Sequence, residues 1–535
     1  MTADAPPGEP LVPPAGDEAT LLDLFDVVVA RHPDAEAIVE CTGVDADGSP
    51  RTRRVTFGQL AAAADTLAGQ FVAEGVRPGD VVAIALPSGI DYAVAHHAAL
   101  RAGAVATGIN PRLGPTERAH ILGATQPARV VDTPPGDVDA LAAAGDPQRR
   151  RVSPTATDAV CIVWTGGTTG VPKGVVFDHR CQATMAAAAG PLSAMGDRRL
   201  SPLPFAHVGT MTRVWDEWSH LITTVVTPTP WTPDATAALL LAEGVTVCQG
   251  VPTQYALLCD HLDAAGIGAS RLGHLRIAGI GGARIPPDLV LRIEATLGAP
   301  VIARYASTES CVATGTTPGD PVGVVCTTVG RTTGPVEMCV ADDVGNPLPR
   351  GPEHVGRVCV RSRATMRGYV PSVATDPSSA PPTPVDPNGW LDTGDLGWVG
   401  EDGNLRLVGR TTEMYIRGGY NIYPAEVENT LASLGGVASV AVVGATAPGS
   451  RLGEIGVAFV VPADPADPPH ADAVRTHVAD HLAGYKVPDI VVVTDHLPLT
   501  TLGKVDKRAL QPSADDHAST WQRSTADTTD TRSAS

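Results

Sequence analysis

Val163-Trp-Thr-Gly-Gly-Thr-Thr-Gly-Val-Pro-Lys-Gly174 packs four glycines, three threonines and one lysine into twelve residues, at the end of the apolar run Val160–Trp164. Glycines at Gly166, Gly167 and Gly170 let backbone N–H groups point into one concavity, and the hydroxyls of Thr165, Thr168 and Thr169 add donors. Lys173 adds a positive charge. The set suits a triphosphate, and above all a pyrophosphate leaving group. It is not the G-x-x-x-x-G-K-[ST] loop, because the lysine follows a proline and no serine or threonine comes after it to hold magnesium. A flexible surface turn has the same composition, so the loop by itself leaves both readings open.

A strand that runs into such a loop belongs to an α/β fold, and the flanks agree. From Thr20, LLDLFDVVVARHPDAEAIVE reads as a helix followed by a short strand. VVAIALPS (81–88) is a buried strand, Asp91–Gly103 an Ala-rich helix, and AVATGIN the next strand. The alternation continues through Val160–Trp164, Ala278–Gly281 and Val301–Tyr305, which predicts a mainly parallel sheet. The expected architecture is an N-terminal domain of layered α/β sheets over 17–410, with a β-rich subdomain at about 320–410. A small mobile α+β domain follows at 411–512, with helices at Pro424–Leu434 and Ala471–Leu482. Residues 371–388 read as a Pro-rich surface loop. Residues 1–16 and the polar tail 513–535 read as disordered.

Composition excludes several classes. The chain has 535 residues, 43% of them apolar and only 4% aromatic, so a large core must rely on Ala, Val and Leu. A balance of 39 basic against 58 acidic residues gives −19. That field repels nucleic acid and anionic membrane. Nine scattered cysteines form no C-x-x-C pair, which argues against a disulfide scaffold or structural zinc and for a reducing cytoplasm. The N-terminus lacks a signal-peptide pattern, and no apolar run is long enough to span a membrane.

Seven further segments carry chemistry. They are Ser201-Pro-Leu-Pro-Phe-Ala-His207, Gly279-Ile-Gly-Gly-Ala-Arg284, Arg304-Tyr-Ala-Ser-Thr-Glu309, Gly389-Trp-Leu-Asp-Thr-Gly-Asp395 with Gly409-Arg410, Tyr415-Ile-Arg-Gly-Gly-Tyr-Asn-Ile-Tyr-Pro-Ala-Glu-Val-Glu428, Leu482-Ala-Gly-Tyr-Lys-Val-Pro488 and Leu499-Thr-Thr-Leu-Gly-Lys504. In this order, with the glycine-threonine loop, they resemble the adenylate-forming superfamily of acyl-CoA synthetases, luciferases and peptide-synthetase adenylation domains. The resemblance spans roughly residues 20–512.

The resemblance implies ATP-dependent activation of an acid as its acyl-AMP, with Mg2+, then transfer to an acceptor, most often coenzyme A. It puts Gly281, Gly282, Ala283 and Tyr305 against adenine, Thr308 on the α-phosphate and Glu309 on magnesium. Asp395 and Arg410 fall to the ribose, His207 to the acyl pocket, and Gly418, Gly419 and Tyr420 to the acceptor channel. Lys504 becomes the mobile cation that reaches both the acid's carboxylate and the α-phosphate. Taken singly, His207 is equally an ordinary helix-start histidine and Lys504 a solvated loop lysine, whereas the strand residues before Glu309 argue against a merely solvated surface acid.

Three departures stand out. Thr412 occupies the hinge position where relatives carry Asp or Lys. Arg284 and Arg304 flank the expected pocket floor. They either point outward into surface salt bridges or hold an anion in a pocket for a small or polar acid. Trp215-Asp-Glu-Trp218 reads as a polar aromatic pocket entrance. The leading expectation is an acyl- or aryl-CoA ligase acting on a small-molecule acid. The alternative activates a small acid, even nitrite, for an amine or for the thiol of a separate carrier protein. A non-catalytic binding protein is the third reading.

Overall fold

The computed structural model describes residues 9–12, 16–145, 152–165, 172–282, 285–371, 384–418, 420–447, 450, 452–500 and 505–530. Contacts divide the chain into two units. One is Met1–Cys339 with Cys359–Thr393 and Glu401–Leu405; the other is Val340–Val358 with Gly394–Gly400 and Arg406–Ser535. The Pro-rich segment 372–383 lies outside the described residues.

In the first unit, Thr20 starts the helix Leu21–Arg31 with a reciprocal cap. Its hydroxyl accepts from the Asp23 N–H, and the Asp23 carboxylate accepts from the Thr20 N–H at 2.8 Å. Leu21, Leu24, Phe25 and Val28 form its buried stripe. One six-stranded sheet runs in the order Gly368–Tyr369, Lys173–Asp178, Ala159–Thr165, Val105–Gly108, Val81–Ile84, Arg129–Val131. A nine-stranded sheet runs Arg331–Thr332, Cys311–Gly315, Val301–Ser307, Ile277–Gly281, Val247–Gly250, Arg198–Ser201, Thr223–Val226, Glu36–Val44, Pro50–Thr56. The inner pairings of both are parallel, as expected. Strands such as Val105–Gly108 and Thr223–Val226 are buried at every position because helices cover both faces. With few aromatics, the core is built from small residues, and the Ala-rich helix Ile90–Arg101 is buried along its whole length.

Trp215-Asp-Glu-Trp218 lies in the helix Val214–Ser219, buried at Trp215, Asp216 and Trp218, with Glu217 and Trp218 lining a small cavity beside Tyr92, His96 and Phe205. Trp218 packs against Phe25 and Phe57 and donates its indole N–H to His97 at 3.0 Å. Asp216 tolerates burial because Arg199, at 2.8 Å, and Arg213 both donate to it, which holds its carboxyl far below the ordinary range despite desolvation.

In the second unit, Val437–Thr446, Glu454–Pro462 and Ile490–Val493 form a three-stranded sheet. The helices Pro424–Leu431 and Ala471–His481 fall where the sequence predicts. The strands Glu337–Ala341, Gly356–Arg361, Leu391–Val399 and Leu405–Arg410 make the stretch around 337–410 rich in β-structure. Toward the C-terminus, Lys507–Asp530 is helical. Leu510, Ala514 and Ala518 recur every four residues and are buried against Val443, Ile455, Val457 and Phe459.

Truncation after Gln511 removes Ala514 and Ala518 from this core. We expect it to destabilise the second unit by about 2 kcal/mol or more, read as a lower denaturant midpoint.

Stability should also fall with acid. Burial holds His96 at about 4, His97 at about 3 and His179 at about 4, below the ordinary 6.5. Their stabilisation is complete above 6.5 and is lost as pH falls toward the folded values. Glu217, pushed up by burial to about 7 from 4.5, acts oppositely between those two values. Near pH 5.5 these four groups together take up about two protons on unfolding. A midpoint that did not move between pH 7 and 5 would contradict this balance.

Candidate active site

The loop predicted to hold phosphate is closed by an antiparallel strand pair whose register sets Thr165 opposite Lys173. Gly166, Gly167, Thr168, Thr169 and Gly170 themselves lie outside the described residues. Its basic end is well defined. Lys173 places Nζ 5.3 Å from the ring centroid of Tyr369, a cation–π contact. The Tyr369 hydroxyl in turn donates to Glu309 Oε1 at 3.0 Å. Burial, with the Glu309 carboxylate beside it, pushes the Tyr369 phenol well above its ordinary value, so it stays a donor. The Met366 N–H donates to the Glu309 carbonyl at 2.9 Å, and the Val370 N–H to the Gly174 carbonyl at 2.8 Å.

Glu309 and Thr308 stand at the tip of the hairpin between Val301–Ser307 and Cys311–Gly315. Ser307 and Ser310 clamp that tip. Each backbone N–H donates to the other's hydroxyl, at 3.2 and 3.0 Å. Among the described residues no three His, Cys, Asp or Glu side chains cluster as a metal cage. A single carboxylate beside a phosphate loop is what Mg2+ needs when substrate phosphates supply the other ligands, so Glu309 fits that ion.

Tyr305 is buried on the same strand, next to Arg304. The parallel neighbour sets Gly281 opposite Arg304, and a Cβ on Gly281 would lie 2.8 Å from the Arg304 carbonyl oxygen. The position therefore requires glycine. Gly282 follows at φ +83, while Ala283 and Arg284 lie outside the described residues. Arg304 does not form a surface salt bridge. Its Nε and Nη1 are buried without a hydrogen-bond partner among the described residues. His207 is the N-cap of Val208–Met211, its Nδ1 accepting from the Gly209 N–H at 3.2 Å.

In the second unit, Asp395 is buried and accepts from Arg410 Nε at 2.8 Å. Gly418 takes φ +57 and donates to the Leu452 carbonyl at 2.7 Å. Tyr420 stacks on Tyr485 with centroids 4.3 Å apart. Gly419 and Lys504 lie outside the described residues. Sequence reasoning missed Tyr369. Its signal was slight, an aromatic after Gly368 at the edge of the Pro-rich stretch.

This chain belongs to the AMP-binding enzyme family: the AMP-binding enzyme model matches residues 25–370 and its C-terminal domain model residues 426–504. It is an ATP-dependent, AMP-forming ligase. It is 33% identical to a 3-[(3aS,4S,7aS)-7a-methyl-1,5-dioxo-octahydro-1H-inden-4-yl]propanoyl:CoA ligase of Mycobacterium tuberculosis, over 92% of this chain and 99% of that protein. It is 32% identical to a feruloyl-CoA synthase of an Amycolatopsis species, over 85% and 92%. ATP-bound MatB of Rhodopseudomonas palustris superposes with a TM-score of 0.80 at 25% identity, covering 94% of this chain and 100% of that one.

Tyr369→Phe removes the donor that holds Glu309. We expect kcat/KM for ATP to fall about 10-fold, the size of one hydrogen bond to a charged group. An unchanged initial rate across ATP concentrations would show that Glu309 needs no such support.

Proposed function

We propose that the chain is an acid–CoA ligase that works through an acyl-AMP. The observation that carries this is the junction of Lys173, Tyr369 and Glu309. It sets a cation and a carboxylate beside a glycine-threonine loop, as a triphosphate and its counter-ion require. The names of the relatives, CoA ligases and synthases, support thioester formation as the second half.

In the first half-reaction a carboxylate oxygen of the acid attacks the α-phosphorus of ATP. A P–O bond forms, the bridging P–O bond to the β-phosphate breaks, and pyrophosphate leaves toward Thr165–Gly170 and Lys173. Thr308 donates to the α-phosphate. Tyr305, with Gly281, Gly282 and Ala283, receives adenine, and Asp395 with Arg410 receives the ribose. Glu309 would hold Mg2+, which supplies charge neutralisation on the phosphates when bound. Lys504 delivers a cation to the carboxylate and α-phosphate as charge builds there. Positioning and electrostatics suffice, so no protein nucleophile is required.

In the second half-reaction the thiol attacks the acyl carbonyl, AMP leaves, and the thiol proton passes to solvent. The C-terminal domain turns about Gly409–Glu413 to bring Gly418, Gly419 and Tyr420 to the acyl-AMP, while Lys504 withdraws. His207 borders the acyl group.

ATP–pyrophosphate exchange over an acid panel tests activation, and mass analysis after adding coenzyme A tests the acceptor. Lys504→Ala should lower acid-dependent exchange about 100-fold or more. Undiminished exchange in that variant would remove Lys504 from the first half-reaction. Exchange without thioester would assign the acceptor elsewhere.

A further inference from the structure

Arg304 is part-buried, and among the described residues its guanidinium has no ion-pair partner. It lies on the strand Val301–Ser307 between two glycines, Gly281 on the parallel neighbour and Gly315 on the antiparallel one. Its side chain turns inward over positions that have no side chain. A Cβ on Gly315 would overlap Nη1, and one on Gly190 would sit 3.2 Å from Nη2. Nη2 donates to the Ala189 carbonyl, just beyond the helix His179–Ala188. That contact and the helix's negative end anchor the group. Nε and Nη1 are buried and, among the described residues, have no hydrogen-bond partner.

The surrounding charges do not neutralise it. Arg213 and Arg199 both donate to Asp216, whose other oxygen faces His220 Nδ1 at 3.1 Å. Asp216 is therefore already shared by two guanidinium groups. Glu217 follows it on the same helix, but burial pushes its carboxyl up to about 7, so it supplies at most a fraction of a charge at neutral pH. Burial, with Arg213 nearby, lowers Arg304 to about 10, which still leaves it cationic. Arg199 and Arg213 thus share one ionised carboxylate, and among the described residues no carboxylate is paired with Arg304. A desolvated cation in that position is strongly unfavourable unless an anion reaches it.

The reacting end of the acid does not meet this demand. Strand alternation sends Arg304 and Tyr305 to opposite faces, and Tyr305 and Thr308 are the residues assigned to the nucleotide. Arg304 addresses what lies away from the α-phosphate. We propose that Arg304 is a second anion subsite of the acid pocket, binding a carboxylate or sulfonate remote from the carboxyl that is adenylated. The preferred substrates are then acids with two negative charges. This rests on the acid-activating function proposed above.

The test is ATP–pyrophosphate exchange with matched acids that differ by one remote charge: butyrate against succinate, hexanoate against adipate, benzoate against terephthalate. The wild-type enzyme should favour the dianion in at least one pair by about 10-fold or more in kcat/KM. Arg304→Leu should lower that dianion-to-monoanion ratio about 10-fold or more, chiefly through KM for the dianion. Gly315→Ala, whose methyl group displaces Nη1, should lower the same ratio with the charge still present. Calorimetric titration of the preferred dianion into both variants reads binding without turnover; it should be weakened in each.

An unchanged ratio in Arg304→Leu, or a wild-type preference for the monoanion in every pair, overturns the subsite while leaving acid activation standing. Exchange with no acid at all overturns acid activation, and the subsite with it.

Discussion

Tyr369 joins what the sequence keeps far apart. Glu309 belongs to a hairpin of the nine-stranded sheet, whereas Lys173 and Tyr369 belong to the six-stranded sheet. The hydroxyl–carboxylate hydrogen bond and the cation–π contact therefore couple the two sheets where the glycine-threonine loop opens. A carboxylate at a hairpin tip would otherwise be free to turn to solvent. Here its backbone is tied through Met366 and its side chain through Tyr369, so two segments over fifty residues downstream fix its direction. A site that relies on electrostatics needs this preorganisation, because donors and cations that reorient during reaction forfeit most of their effect.

The interior handles charge in two contrasting ways. Asp216 is buried within ion-pair distance of two arginines and a histidine. Breaking that cluster would strand a charge, so it behaves as structure. Arg304 is part-buried and, among the described residues, its Nε and Nη1 have no hydrogen-bond partner. The same low-polarity surroundings that strengthen the first arrangement make the second costly.

Much of this was legible in the sequence. Alternating apolar runs and Ala-rich helices place the strands Val81–Ile84, Val105–Gly108, Ala159–Thr165 and Val301–Ser307, because burial on both faces leaves a continuous apolar signature. The contents of the helix Lys507–Asp530 were hidden by Pro512 and by a polar majority; only Leu510, Ala514, Ala518 and Trp521 carry its stripe, and alanine is a weak marker. The burial of Trp215-Asp-Glu-Trp218 was hidden for the converse reason. Charged residues next to tryptophan look like a solvent boundary until Arg199 and Arg213, one of them on another strand, are brought to Asp216. The direction of Arg304 could not be read at all. It depends on Gly315 and Gly190, which are distant in sequence and matter for what they lack.

Thr412 is uncharged at a position expected to act as a hinge. Its neighbours explain why charge is not required. Thr411 is tied back to the Gly394 carbonyl by both its N–H, at 3.0 Å, and its hydroxyl, at 2.7 Å. On the other side Glu413 is held by Lys507 at 2.7 Å, and Lys507 also reaches Glu428 at 2.8 Å. The residue between these anchors makes the smallest commitment. A hinge needs one position whose dihedrals can change while both flanks stay fixed, and a threonine between a doubly bonded threonine and an ion-paired glutamate meets that need.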